Sequence, residues 1–258
     1  MNRIENAFKK GKAFIGFLTA GDPTFESSFE DIMAAVKAGA DMIEIGIPFS
    51  DPIAEGVVIQ GADLRALKGG MTTDRAFELA EKVRKETDIP LVFMTYLNPV
   101  FKYGYDRFFA RCKEIGVDGL ICPDMPFEEK GEADEIAKKH GISIISMIAP
   151  TSEARIKSIA ESAEGFLYIV SSMGVTGVRS EIKTDLAAIM ESVKKYKKVP
   201  AAIGFGVSTP EQAEKMAALS DGVIVGSAIV RIVEKYGENA APEIYSYVKS
   251  MTDAVHKI

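Results

Sequence analysis

The residue best suited to proton transfer is Glu44, which lies in the apolar run 42–47, Met-Ile-Glu-Ile-Gly-Ile. Side chains of a strand alternate between its two faces, so Glu44 shares a face with Met42 while three isoleucines occupy the other. If the isoleucines face helices, Glu44 points into the core, where burial raises a carboxyl pKa toward the range useful for acid–base catalysis. The alternative is a structural salt bridge, although no neighbouring run supplies an obvious Lys or Arg.

Two further acids, Asp51 and Glu55, follow in the segment 48–56. A carboxylate on a loop beside one fixed on a strand can form an acid–base pair, because different environments drive the two pKa values apart. Each residue also has a simpler interpretation. Asp51 precedes a proline and could only build a turn, and Glu55 could be a solvated acid at the start of a helix. Both interpretations remain open at the level of sequence.

Three glycine-bearing segments late in the chain predict a phosphate site. They are 174–177 (Gly-Val-Thr-Gly), 204–206 (Gly-Phe-Gly) and 226–227 (Gly-Ser). Glycine lets backbone N–H groups approach an anion closely, and a helix N-terminus adds a favourable dipole. Each segment alone could be a simple turn, but their position on consecutive loops favours phosphate binding.

Aromatic side chains at or near strand ends could line a pocket for an aromatic substrate. Tyr96 and Tyr168 are candidates for its lining, and Phe17 and Phe205 for its apolar walls. Aromatic residues in strands belong more often to the core or its rim, so packing is the alternative for each.

The elements that must position these residues repeat along the chain as a short apolar run followed by a helical pattern. The predicted strands are 14–19, 42–47, 91–96, 119–122, 142–148, 166–170, 199–204 and 222–225. The predicted helices include 29–37, 74–86, 107–114, 128–139, 153–162, 184–195 and 210–219. Strands that alternate with helices favour an α/β fold with a parallel sheet, and eight units favour a closed (βα)8 TIM barrel.

Two segments fall outside this repeat. An extra N-terminal helix over 2–10 is expected to cover the floor of the barrel, and 48–70 is predicted to be an unusually long strand-to-helix loop. No low-complexity segment or Pro/Ser linker divides the chain, so 1–258 is predicted to be a single barrel domain. The active site of such a barrel lies at the carboxyl ends of its strands.

Composition excludes several classes of function. The 258 residues carry a formal charge of −6, without the basic, aromatic-rich face of a nucleic-acid-binding protein. The apolar stretch 13–20 is far shorter than the ~20 residues of a membrane span, and the residues before it do not resemble a signal sequence. Cys112 and Cys122 lack metal-ligand spacing. We therefore expect a cytoplasmic protein with no metal and no nucleic-acid or membrane partner.

Five motifs, in order, resemble those of the tryptophan synthase alpha chain family: 17–23 (FLTAGDP), 44–52 (EIGIPFSDP), 174–177 (GVTG), 204–208 (GFGVS) and 226–230 (GSAIV). The second is highly specific. The resemblance implies a (βα)8 barrel that cleaves indole-3-glycerol phosphate to indole and glyceraldehyde 3-phosphate in a retro-aldol reaction. It implies no cofactor in this chain, and a pyridoxal-phosphate-dependent beta chain that receives the indole in an alpha2-beta2 complex.

The resemblance also implies roles for single residues. By position, Glu44 matches the catalytic acid–base glutamate, Tyr168 a tyrosine near it, and Asp51 a residue that communicates with the beta chain. The implied substrate-binding residues are Phe17, Tyr96, Thr176, Gly177, Phe205, Gly206, Gly226 and Ser227. Among these, Thr176 and Gly177 match a loop that closes over the substrate, and the last three match the phosphate site.

The chain departs from the family pattern at Glu55, because the family usually has Asp eleven residues after the catalytic glutamate. The added methylene moves the carboxylate by ~1.5 Å unless the loop shifts. We assign proton shuttling to Glu44 and stabilisation of the indole nitrogen to Glu55. Two alternative functions stay open: a phosphosugar-processing barrel or free-standing indole lyase without a beta chain, and a non-catalytic barrel that activates the beta chain.

Overall fold

The computed structural model describes residues 3–170, 186–204 and 206–258. Eight parallel strands close into a barrel in which each strand pairs with the next along the chain and the last pairs with the first. The strands are β1 (Ala13–Thr19), β2 (Met42–Gly46), β3 (Leu91–Met94), β4 (Gly119–Ile121), β5 (Ser143–Ile148), β6 (Leu167–Val170), β7 (Ala201–Gly204) and β8 (Gly222–Val225). Each overlaps one of the eight predicted runs, which confirms the predicted TIM barrel.

Helices connect and surround these strands. They are α1 (Arg3–Ala7), α2 (Phe25–Lys37), α3 (Val57–Lys68), α4 (Thr73–Arg84), α5 (Leu97–Tyr103), α6 (Tyr105–Ile115), α7 (Gly131–His140), α8 (Glu153–Ser162), α9 (Leu186–Tyr196), α10 (Pro210–Leu219), α11 (Ser227–Tyr236) and α12 (Ala241–Val255). Side-chain caps fix the start of several of them: Thr24, Thr72, Ser152 and Thr209 each accept a backbone N–H of the first turn. No helix in the described ranges is long and apolar enough to cross a membrane.

The alternation of β2 separates two apolar layers. Ile43, Ile45 and Ile47 pack with the surrounding helices in the outer layer of the core. Met42 packs inside the barrel, in a cluster with side chains from the other strands such as Ile15 and Ile224. Since Glu44 shares the face of Met42, the predicted inward orientation of Glu44 is confirmed.

The N-terminal helix closes the floor of the barrel, as predicted, although it is shorter than the predicted 2–10. Ile4 of α1 is fully buried in the inner cluster. Its Cδ1 atom would lie 3.3 Å from a Cβ atom added to Gly119, the first residue of β4. Arg3 pairs with Asp118 at 3.0 Å, which fixes the helix beneath the strands.

The prediction of one long loop over 48–70 is wrong, because α3 occupies its second half. The helix escaped prediction for two physical reasons. Its N-cap is Gly56, which has no side-chain hydrogen bond to mark the start. Its buried stripe is interrupted by a charged residue, Asp63, and therefore does not read as an apolar face. This helix brings residues of the segment to the mouth of the barrel.

Candidate functional site

Glu44 is the buried acid at the centre of the site. Its side chain is 0% exposed, and neither carboxyl oxygen has a hydrogen-bond partner within the described part of the chain. Burial alone raises its pKa from 4.5 to about 8. Among the described residues no basic group pairs with it, so the salt-bridge interpretation is not supported. A carboxyl group of this kind can take up and release a proton near neutral pH.

Tyr168 lies in the same interior on β6. It is buried in the inner cluster, and burial followed by the charge of Glu44 raises its pKa well above 10. The tyrosine needs a glycine beside it on β7, because a Cβ atom added to Gly204 would lie 2.6 Å from the Tyr168 hydroxyl oxygen. The structure thus places Glu44 and Tyr168 in the same interior, where the charge of one acts on the other.

Phe17, a residue of β1, lines the barrel interior beside Glu44 and Tyr168. It pairs in register with Glu44, and its ring lies over Gly46, where an added Cβ atom would be 2.6 Å from the ring. Val58 and Ile59 of α3 pack against Phe17 from above. The helix therefore closes one side of the barrel mouth.

Glu55 lies just before α3 and is only 7% exposed, which excludes the interpretation as a solvated acid. Burial raises its pKa, although side-chain hydrogen bonds to Asp63 and Tyr96 act to lower it. Gln60 donates to the Glu55 backbone carbonyl at 2.7 Å, and the Ala54 N–H donates to the Tyr96 hydroxyl at 2.9 Å. These contacts hold the loop, and Oε2 of Glu55 remains buried without a partner.

Asp63 is a candidate functional residue that the sequence analysis missed. It lies on the buried face of α3, is 5% exposed, and contacts Glu55. Burial, then the charge of Glu55, raises its pKa to about 9. Its position four residues after the buried Ile59 is the sequence signal that could have identified it, once α3 was assigned as a helix.

The described residues that were predicted to bind phosphate lie where β7 and β8 end. Gly206 has φ +72°, a conformation that favours glycine. Gly226 precedes α11 and gives it no side-chain cap, whereas Thr209 caps α10 with a complete capping box. The N–H groups of Ile229 and Val230 donate to the Gly226 carbonyl, so those of Ser227 and Ala228 are the ones that this first turn can offer to an anion. Three other predicted residues, Thr176, Gly177 and Phe205, lie outside the described part of the chain.

Asp51 and two other polar residues at strand ends, Asn98 and Asp124, lie away from the barrel interior. Asp51 is exposed and accepts a hydrogen bond from Ser50. It borders a groove of about 580 Å³ that Asn98 also lines. Asp124 accepts the backbone N–H of Leu97 at 2.8 Å, so its role is to fix the start of α5.

Comparison with known sequences matches the chain to a single family among the relatives described below. The chain matches the model of the tryptophan synthase alpha chain over residues 4–256. The tryptophan synthase alpha chain of Lacticaseibacillus casei is 51% identical over 255 residues, which cover 99% of this chain and 96% of that relative. The alpha chain of a Thermoanaerobacter species is 47% identical over 262 residues, covering 99% of this chain and 100% of the relative.

Comparison with solved structures identifies the same family. The crystal structure of tryptophan synthase subunit alpha from Legionella pneumophila is 36% identical, with a TM-score of 0.92 and full coverage of both chains. A chain from the tryptophan synthase a2b2 complex of Pyrococcus furiosus is also 36% identical, with a TM-score of 0.87 over 94% of this chain and 99% of that chain. Since the family model spans nearly all residues and a relative shares half of them, the chain belongs to the tryptophan synthase alpha chain family, whose members are subunits of an enzyme.

Proposed function

We propose that this chain is a carbon–carbon lyase that cleaves indole-3-glycerol phosphate to indole and glyceraldehyde 3-phosphate. Family membership supports the reaction class. The observation that carries the proposal is Glu44, a fully buried carboxyl group inside the barrel with no hydrogen-bond partner among the described residues. An acid kept without a partner is costly unless a ligand uses it.

The bond changes define what the site must do. Cleavage of the bond between ring carbon 3 and the glycerol chain adds a proton to that carbon and removes one from the adjacent hydroxyl group, so the protons balance. Glu44 moves the proton between these two positions. Positive charge that develops on the ring nitrogen is stabilised by the Glu55 carboxylate, to which the ring N–H donates. One such acid–base group typically contributes about 10²–10⁴-fold in rate.

The remaining residues bind the two ends of the substrate. Phe17, Tyr96 and Tyr168 surround the indole ring, together with Phe205. Backbone N–H groups at Gly206, Gly226 and Ser227 bind the phosphate, which the uncapped start of α11 supports. Thr176 and Gly177 are assigned to the loop that closes over the bound substrate.

The partner of this chain is a tryptophan synthase beta chain, which carries the pyridoxal phosphate and receives the indole in an alpha2-beta2 complex in the cytoplasm. The Pyrococcus furiosus structure supports such an assembly, since it is the structure of an a2b2 complex. Large apolar side chains that follow the adjacent strands β2 and β3 also support a partner at this end of the barrel. Ile53 and Val57 follow β2 and Phe101 follows β3, and they are 75%, 81% and 64% exposed. Exposed apolar residues grouped in this way mark interaction surfaces.

An indole-release assay on the purified chain, with and without a beta chain, tests the proposed function. Indole should be released by the chain alone, and faster with the beta chain bound. Release that a beta chain leaves unchanged would favour a free-standing lyase. Activation of the beta chain without any indole release would show a non-catalytic subunit.

A further inference from the structure

Glu55 and Asp63 form a pair of buried acids that the reaction as described does not explain. Their side chains are 7% and 5% exposed, and a hydrogen bond joins them. An ionised carboxylate has no proton to donate, so a hydrogen bond between two carboxyl groups requires that one of them be protonated. The pair therefore holds one shared proton at neutral pH.

The surroundings place this proton on Asp63. Glu55 lies two residues before Val57, the first residue of α3, where the helix N-terminus favours an ionised acid. The Tyr96 hydroxyl also contacts Glu55 and stabilises its carboxylate form. Asp63 lies in the middle of the helix, beyond the reach of its N-terminus. Burial and the charges of Glu55 and Asp22 disfavour its ionisation and outweigh the Phe49 backbone N–H, which favours the carboxylate.

We propose that Asp63 is a positioning residue for Glu55: its protonated carboxyl group donates to one Glu55 oxygen and leaves Oε2 free to accept the N–H of the indole ring. The inference rests on the proposed function and extends it. The partner-free state of Oε2 supports it directly, because a buried acceptor without a donor is suited to a donor that arrives with the substrate.

The arrangement also gives a physical role to the glutamate that replaces the family's usual aspartate at position 55. A glutamate side chain has one more rotatable bond than an aspartate side chain. The position of its carboxylate group is therefore less restricted. A hydrogen bond from Asp63 restricts that bond and keeps the longer side chain in one orientation. Glu55 and Asp63 then act as one unit, in which the helix α3 fixes the direction of the loop carboxylate.

Loss of the shared proton at alkaline pH should lower the rate of indole release. Two adjacent carboxylates repel each other, so Glu55 would turn away from the ring nitrogen. Asp22 is the other charged group that acts on Asp63 among the described residues. Arg65 binds Asp22 through two hydrogen bonds of 2.7 and 2.8 Å, and Glu234 of α11 lies 3.9 Å from Arg65. Tyr96 remains protonated, since burial raises its pKa.

Steady-state indole release by Asp63→Asn and Asp63→Leu, measured against pH, tests the proposal. The asparagine amide still donates to Glu55 but has no proton to lose. Asp63→Asn should keep most of the neutral-pH kcat and lose only the part of the parent's alkaline decline that the pair contributes, because Glu44 still titrates in the variant. Asp63→Leu has a similar shape and no donor, so its kcat should fall about ten- to hundredfold, with a smaller change in KM.

Asp31→Asn is the matched control, because Asp31 is another buried acid with a raised pKa and lies on α2, outside the site. It should leave the parent's pH profile unchanged. All variants keep Glu44, so its own titration contributes equally to every profile. An unchanged alkaline decline in Asp63→Asn, or a parent-like kcat in Asp63→Leu, would overturn the role of Asp63 while leaving the lyase function intact.

A carboxyl 13C NMR titration of Glu55 in the full chain tests the shared proton without activity. The Glu55 resonance should titrate in two steps in the parent and in one step in Asp63→Asn. A single step in the parent would overturn the proposal even if indole release were absent and the proposed function had failed for other reasons.

Discussion

At the scale of single residues, the burial of Glu44 reduces the stability of the folded protein when its carboxyl group is ionised. Glu44 has neither an ion pair nor a hydrogen bond in the described part of the chain, and its pKa rises from 4.5 to about 8. Between these values the unfolded chain loses the proton and the folded protein keeps it. Stability from this group is therefore fully present below pH 4.5 and declines as pH rises toward 8.

Glu44→Gln should consequently stabilise the protein more at pH 8 than at pH 5. Relative to the parent, we expect the free energy of unfolding to gain about 1–3 kcal/mol between these conditions. Urea denaturation of parent and variant at both pH values measures the difference. The fixed cost of burying the amide cancels in this comparison, and a difference that does not change with pH would contradict the assigned pKa.

Gly204 tests the packing around Tyr168. Gly204→Ala would place a methyl group 2.6 Å from the tyrosine hydroxyl oxygen, so the ring must move. We expect a loss of stability of about 1–3 kcal/mol and slower indole release. Gly131→Ala is the control, because an added Cβ atom there meets nothing within 4 Å, and its thermal unfolding should match that of the parent. Parent-like behaviour of Gly204→Ala would show that Tyr168 is not held in this position.

At the scale of elements, two neighbouring helices differ in how they begin. Thr209 caps α10, and Gly226 leaves α11 uncapped. Gly226→Asp would supply a carboxylate to the first turn of α11, where it caps the helix and repels an anion. Binding of glyceraldehyde 3-phosphate should weaken about tenfold or more in calorimetry, since like charges oppose each other.

Thr209→Ala provides the comparison for this variant. It removes the cap of α10, so it should destabilise the protein by about 1 kcal/mol without weakening phosphate binding. If Gly226→Asp bound the phosphate ligand as tightly as the parent, the phosphate site would lie elsewhere.

Most of the strands and helices could be predicted from the sequence, but the helix over the barrel mouth could not. Strands buried on both faces are nearly continuous apolar runs, so all eight were predictable, and α10 was predicted with the bounds that it has. The inward position of Glu44 followed from the alternation with three isoleucines. The helix α3 and the contact between Asp63 and Glu55 did not follow, because both depend on how a segment without a side-chain cap folds over the barrel mouth.

At the scale of the whole molecule, the exposed apolar side chains that follow β2 and β3 predict where the beta chain binds. Phe101→Asp should weaken association with a beta chain, measured by analytical ultracentrifugation, by about tenfold or more, because a charge would be buried in the interface. Tyr245→Asp serves as the control, since Tyr245 is 43% exposed on α12 and is not part of this group. Equal association by both variants would place the interface on another face.

In the proposed reaction, the buried carboxyl group of Glu44 moves the proton that accompanies cleavage of the carbon–carbon bond. Indole release by Glu44→Gln, measured beside its affinity for glyceraldehyde 3-phosphate, tests this claim most directly. We expect kcat to fall by at least about 10²-fold, with the affinity for the phosphate ligand nearly unchanged. Near-normal turnover by a variant that cannot carry a proton at this position would contradict it.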